Sequence, residues 1–381
     1  MTGNSRNNAL DVIRALAILL VLGRHMSVCP DGASPLLHSI SEVWLRGGWV
    51  GVDLFFVLSG FLVSGLLFRE KIATSTLSVK MFLIRRGFKI YPPFWLLIFV
   101  TLIGNSILCL PTPGRRLASE LLFLQSYAGA LWGHTWTLAV EEHFYLFLCL
   151  ALAWLGGGKK PVTRFRRLPG LFVAIAVICL LSRWLAVQNP PYGFWRAFSQ
   201  SHSRIDLLMF GALLSYCYHF TSLPQILARR FVRRGLFTFG ICLITFAFIF
   251  PINDEDWRLV VFGLPVFAIG AGALLLGGLH SRMLASAPFR VLGRVGYHSY
   301  SIYLWHMPIQ LCASAAFGAK SGNVQGWLLY SAAYLFGSIG GGIMMARLIE
   351  HPVLRIRDRL FPSPKNIRAL ASANGGGAPA R

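Results

Sequence analysis

The chain has 381 residues, of which 55% are hydrophobic and only 13% charged, with a mean hydropathy of +0.59 and a formal net charge of +22. In a soluble protein so basic a balance would point to nucleic acid, but here the basic residues lie between long apolar segments. That distribution excludes a nucleic-acid partner and places the chain among polytopic membrane proteins, an all-α class.

At about 17 to 25 apolar residues per crossing, ten candidate spans follow in chain order: 10–28, 47–68, 91–110, 134–155, 170–187, 204–220, 235–251, 258–279, 297–317 and 325–347. The first is too long and too interrupted by charge for a signal peptide and is expected to stay as the first span. The run 120–133 is too short to cross and reads as re-entrant or interfacial. With the N terminus inside, the loops assigned to the cytoplasm carry 26 of the 36 lysines and arginines, and the outer loop "NDEDW" (253–257) is acidic. Both termini are therefore expected in the cytoplasm. One integral membrane domain (1–360) and a flexible cytoplasmic tail (361–381) account for the chain. The seven cysteines show no CxxC and no ligand spacing, so they read as small core hydrophobes and no metal site is expected.

Five stretches carry groups that hydrocarbon does not tolerate without a reason. In "LDVIRALAILLVLGRHM" (10–26), Arg14 and His25 are eleven residues apart, about 1100° of helix rotation or 20° net, so they share a face about 16 Å apart. Asp11 lies one turn before Arg14 and can pair with it. In "GWVGVDLFFVLSGFLVSGLLF", which contains "GVDLFFVLSGFL", Asp53, Gly60 and Ser64 fall on one side, where the small residues permit close helix packing and Asp53 asks for a partner. "RRGFKIYPPFW" sets Arg85, Arg86 and Lys89 just before the third span, a cluster that marks topology, binds anionic lipid or recognises a phosphorylated cytosolic ligand. "WTLAVEEHFYL" places Glu141 on a stripe with Thr137 and Tyr145 after Trp136, whereas Glu142 is rotated by about 100°, so at most one glutamate points squarely into a given cavity. "GYHSYSIYLWHMP" aligns Ser299, Tyr303 and His306 at i, i+4 and i+7. No Gly-x-Ser-x-Gly elbow, GxxxxGK[ST] loop or HExxH occurs.

These five stretches, in this order, together with the closing "IEHPVLR", resemble the acyltransferase-3 family of integral membrane acyltransferases. Its members include O-acetyltransferases of bacterial polysaccharides, lipopolysaccharides, lipo-oligosaccharides and macrolides. The resemblance covers nearly the whole chain. It implies transfer of an acyl group, commonly acetyl, from acyl-CoA on the cytosolic side of the bacterial cytoplasmic (inner) membrane to a hydroxyl of a carbohydrate or lipid-linked sugar. Acyl-CoA is then a co-substrate, with no permanently bound cofactor.

Carried over by position, Arg14 and His25 correspond to the family's first-span Arg and His, and Arg85 and Arg86 begin its basic motif. Lys89 stands where many relatives have arginine, keeping charge but losing bidentate geometry. Some members carry a C-terminal extracytoplasmic hydrolase-like domain; none is seen in this sequence, so acceptor handling is expected within the membrane domain or with a partner. The mechanism expected on this basis puts the donor's phosphates on Arg85, Arg86 and Lys89 with Arg14. His25 is the general base, with an acyl-histidine as the variant. Glu141 or Glu142 orients His25, and Tyr145, Tyr303 or His306 donates to the oxyanion, with Asp53, Trp136 and Ser299 in support. A proton-coupled transporter of sugar intermediates is the competing class. Oligomeric state is open.

Overall fold

A computed structural model describes residues 7–155, 165–189, 193–249, 256–318 and 323–362. The expected tail beyond 362 and most of the acidic loop 253–257 lie outside them. All regular elements among the described residues are helical: α1 (Asn8–Arg24), α2 (Pro35–Gly47), α3 (Val50–Thr74), α4 (Val79–Ile107), α5 (Gly114–Leu121), α6 (Gln125–Ala128), α7 (Trp136–Leu155), α8 (Leu168–Val187), α9 (Gly193–Ser199), α10 (Ile205–Phe220), α11 (Leu223–Ala228), α12 (Arg230–Ile249), α13 (Leu264–Gly278), α14 (Ala287–Tyr297), α15 (Ser299–Phe317), α16 (Val324–Met345) and α17 (His351–Leu360).

A helix underlies each of the ten expected apolar segments. Seven stretches are long and apolar enough to cross a membrane: Val50–Thr74, Val79–Ile107, Gly133–Leu155, Phe165–Val187, Arg230–Ile249, Leu259–Gly278 and Val324–Leu360. The others, α1, α10 and α15, are shorter or more polar, and they carry Asp11 and Arg14, Asp206, and Ser299 and His306. Much of each is buried among the other helices, so those polar groups face protein rather than lipid. Lipid is met elsewhere, for example by the exposed Val173, Val177, Leu181 and Leu185 of α8. The run 120–133 does not cross: it is divided between the end of α5, the one-turn α6 and loops.

Local sequence accounts for the helix starts. The Asn7 side chain accepts from the Ala9 amide at 3.1 Å, and Ser34 caps α2 ahead of Pro35. The first helix ends at Arg24, earlier than the expected span, with His25 as its C-cap. Its last carbonyls find side-chain donors: Trp44 Nε1 reaches Leu19 O at 3.0 Å, Tyr334 Oη reaches Leu22 O at 3.0 Å, and Gln310 Nε2 donates to His25 O.

α3 is central and packs chiefly on α10, and also on α1, α13 and α7. Close approach depends on two glycines. A Cβ on Gly60 would lie 1.9 Å from Leu208 O, and one on Gly211 would lie 2.1 Å from Val57 O. Because both obstacles are backbone, Gly60→Ala is expected to separate α3 from α10, at a cost of about 3 kcal/mol or more. Size-exclusion profiles and unfolding temperatures in detergent test this; a wild-type melting temperature would refute it.

One ion pair ties the N-terminal end of α3 to the start of α10, and a second ties α8 to α10. Asp53 accepts from Arg204 Nη2, both side chains having no solvent exposure, and Arg183 Nη2 lies 2.9 Å from Asp206 Oδ2. Asp53 thus finds its partner in the residue just before α10. The Arg204 guanidinium also lies over the rings of Phe198, Phe56 and Trp136, at 5.0, 5.4 and 5.7 Å.

Candidate active site

Two cavities lie along α1. The first, of about 120 Å³, is lined by Arg14, Arg86 and Lys89 together with Ser59, Glu141, Tyr145, Ser299 and Tyr300. We call it the basic cavity. The second, of about 660 Å³, is lined by Arg24, His25 and His134 and by an aromatic set, Trp49, Trp136, Phe194, Trp195 and Phe198. Val52 and Tyr303 are the residues that line both. Arg14 and His25 therefore reach different chambers from one helix, as their axial separation requires.

In the basic cavity, the stripe Thr137, Glu141 and Tyr145 faces inward. Glu141 Oε2 accepts from Tyr145 Oη and, at 3.3 Å, from Ser59 Oγ, and the Arg86 guanidinium sits 5.1 Å from the centre of the Tyr145 ring. Glu142, one position on, turns to α4, where Tyr91 Oη donates to it at 3.0 Å. Asp11 and Arg14 pair at 3.0 Å. Lys89, on α4, lines this cavity and interacts electrostatically with Glu350, which accepts from Ser301 Oγ at 2.7 Å.

Several expected placements are corrected. Arg85 is not part of the basic lining: its guanidinium pairs with Asp358 at 2.9 Å and donates to Phe361 O. Its neighbour Arg86, rotated by about 100°, takes the inward position. Neither glutamate hydrogen-bonds His25: Glu141 lines the other cavity, and Glu142 is held by Tyr91. Asp53 serves an ion pair and does not line either cavity. The hydroxyl hydrogen of Tyr303 is committed to His134 O at 2.6 Å, with Thr137 Oγ1 a further 2.7 Å partner, and Tyr145 is committed to Glu141. Tyr303, Tyr145 and Ser299 do line the basic cavity, and Trp136 lines the histidine cavity.

His306 is fully buried, its ring 5.0 Å from that of His25 and 4.8 Å from that of His134. Ser59, His134, Arg204 and Glu350 are site or supporting residues that sequence reasoning passed over. A usable signal existed for Arg204, a charge two residues before Asp206 at the head of an apolar helix. Among the described residues no group of three or more His, Cys, Asp or Glu could hold a metal ion.

The different surroundings of the two arginines predict different phenotypes. Arg86→Ala is expected to raise the apparent KM for an anionic donor about tenfold or more, because it removes a positive charge from the cavity wall. Arg85→Ala is expected to leave that KM unchanged and to cost stability by at most about 1 kcal/mol, since Asp358 is largely solvated. Steady-state kinetics of acyl transfer would separate the two; equal KM increases would show that Arg85 also meets the donor.

Residues 7–347 match the family model described as "Acyltransferase domain". The peptidoglycan O-acetyltransferase OatA of Listeria monocytogenes is 25% identical over 351 residues, 85% of this chain and 53% of that protein. The O-acetyltransferase OatA of Staphylococcus aureus is 24% identical over 325 residues, 79% of this chain and 50% of that protein. The chain thus spans about half the length of these relatives. No solved structure matches it. With a helical membrane bundle, the first-span Arg and His, and the WTLAVEEHFYL and SYSIYLWHMPI stretches all set around two adjoining cavities, the chain belongs to the acyltransferase-3 family.

Proposed function

We propose that this chain is a membrane-embedded O-acyltransferase that takes a short acyl group, acetyl in the simplest case, from acyl-CoA at the cytosolic face of the bacterial cytoplasmic membrane. The acceptor is a sugar hydroxyl of a cell-surface polysaccharide, lipopolysaccharide or lipo-oligosaccharide. The observation that carries this reading is the pair of chambers sharing Val52 and Tyr303, one basic and one holding His25. Arg14, Arg86 and Lys89 give the first chamber the charge that a phosphorylated donor needs. The second chamber has an imidazole, the side chain suited to taking a hydroxyl proton near neutral pH. Its aromatic walls offer flat apolar faces to a sugar ring. The name of the Listeria relative supports a polysaccharide acceptor.

In the reaction, the acceptor oxygen attacks the thioester carbonyl carbon while its proton passes to His25. The C–S bond then breaks, the thiolate leaves, and the imidazolium returns the proton to it, giving the ester and CoA. Arg86 and Lys89 hold the donor, and the packing around Tyr303 limits water at the point of transfer.

The test is ester content, by NMR of isolated surface glycans, in a deletion strain with and without the wild-type chain, paired with acceptor-dependent CoA release by the purified protein. Loss of one O-acyl signal and its recovery by the wild type are expected. Unchanged glycans with CoA release would move the acceptor to soluble molecules such as macrolides. Absence of CoA release with every acceptor would reject the enzyme reading in favour of transport.

A further inference from the structure

His25 lacks the carboxylate that commonly orients a catalytic imidazole, and the three-histidine cluster supplies another way to do it. Pro308 lies inside α15 and has no N–H, which leaves the carbonyl of Leu304 without its helical donor. His134 Nε2 is 3.2 Å from that carbonyl. A carbonyl only accepts, so the His134 proton is on Nε2 and its Nδ1 is a bare acceptor. His306 Nδ1 is 2.5 Å from Tyr303 O, which by the same reasoning places the His306 proton on Nδ1 and leaves Nε2 bare. Both bare nitrogens, His134 Nδ1 and His306 Nε2, are buried and have no hydrogen-bond partner among the described residues.

A buried bare nitrogen needs a donor. The aromatic neighbours of His306 are His25, His134 and Tyr303. His134 has its proton fixed on Leu304, and Tyr303 has given its proton to His134 O. His25 is the neighbour with an uncommitted ring N–H. Its ring centroid lies 5.0 Å from that of His306 with the planes tilted by 51°, so the two rings are in contact and a rotation of the His25 side chain brings its N–H to the bare Nε2.

We propose that His306 is the positioning residue for His25: in the reacting state the His25 ring turns so that His306 Nε2 accepts its N–H, fixing the tautomer and ring angle of His25 with its other nitrogen bare toward the acceptor hydroxyl. The cluster then does with a neutral imidazole what a carboxylate does in a Ser-His-Asp arrangement. Pro308 belongs to the same device, since the carbonyl it frees fixes His134 and prevents His134 from competing as the donor. The inference rests on His25 being the general base.

The experiment uses the full-length chain in detergent or liposomes with three variants: His25→Ala, His306→Phe, which keeps a ring but has no acceptor, and His306→Gln, which restores an acceptor oxygen. Expected are loss of turnover in His25→Ala and a kcat fall of about 100-fold in His306→Phe with both KM values unchanged. His306→Gln is expected to recover to within about tenfold of the wild type. Wild-type kcat in His306→Phe beside an inactive His25→Ala would overturn this proposal alone. Equal losses in the Phe and Gln variants would also overturn it, in favour of packing. Wild-type turnover in His25→Ala would instead remove the base on which it rests. Should His306→Phe fail to fold, ¹⁵N NMR of histidine-labelled wild type decides: an N–H···N coupling between His25 and His306 is expected, and its absence in well-resolved signals of both rings refutes the assignment.

Discussion

His25→Ala is expected to abolish acyl transfer, with kcat reduced by about 10³-fold or more, while the protein accumulates in the membrane at the wild-type level. The size of the effect follows from general base catalysis, worth about 10² to 10⁴ in rate, and no other ring in the histidine cavity is free to replace it in the same geometry. The retention of the fold follows from how the end of α1 is anchored. Gln310 binds the His25 carbonyl and Tyr334 binds the Leu22 carbonyl, so the anchoring bonds are to main chain that alanine keeps. His25 is also partly exposed to its cavity, so truncation enlarges an existing chamber rather than opening a new void in the core. The check is acceptor-dependent CoA release at matched membrane abundance by immunoblot. Turnover at the wild-type rate would take His25 out of the chemistry.

Arg204→Leu is expected to be the most destabilising single change in the bundle. Asp53 and Arg204 have no solvent exposure, and removing one partner strands a charge in a medium that does not solvate it, a loss of about 3 to 5 kcal/mol. Against a total stability of about 5 to 15 kcal/mol, that is enough to deplete the folded population. The guanidinium also fills the space between Phe56, Trp136 and Phe198, and two of these rings wall the histidine cavity. Arg204→Lys is not expected to rescue, because an ammonium lacks the flat surface that the rings pack on. The double change Asp53→Leu with Arg204→Leu is expected to recover part of the loss, since no buried charge is then unpaired. Unfolding temperatures in detergent for the two single variants and the double test this. Single variants that melt with the wild type would sink it.

The helices were legible because a bilayer imposes length and apolarity on each crossing, and apolar runs are visible in a linear sequence. Stripes within one helix were legible for the same kind of reason: Thr137, Glu141 and Tyr145 do line one chamber, and Gly60 does meet another helix at its backbone. What failed to show was anything set between helices. The partner of Asp53 lies 151 positions away in Arg204, and no local pattern links them. Arg85 and Arg86 are alike in composition and differ only in azimuth, which depends on where α17 packs. The early end of α1 at Arg24 is decided by donors from α2, α15 and α16. The role of Pro308 could have been suspected, since a proline inside a helix always frees a carbonyl, but only the fold brings His134 to it.

The wall that the two chambers share bears on leakage through a membrane bundle. A water-filled route through a membrane bundle would let protons and small ions run down their gradients. Tyr303 is pinned by His134 and Thr137 and backed by Val52. Hydrated ions need a wet passage, and a phenol held by two hydrogen-bonding partners narrows the junction between the chambers.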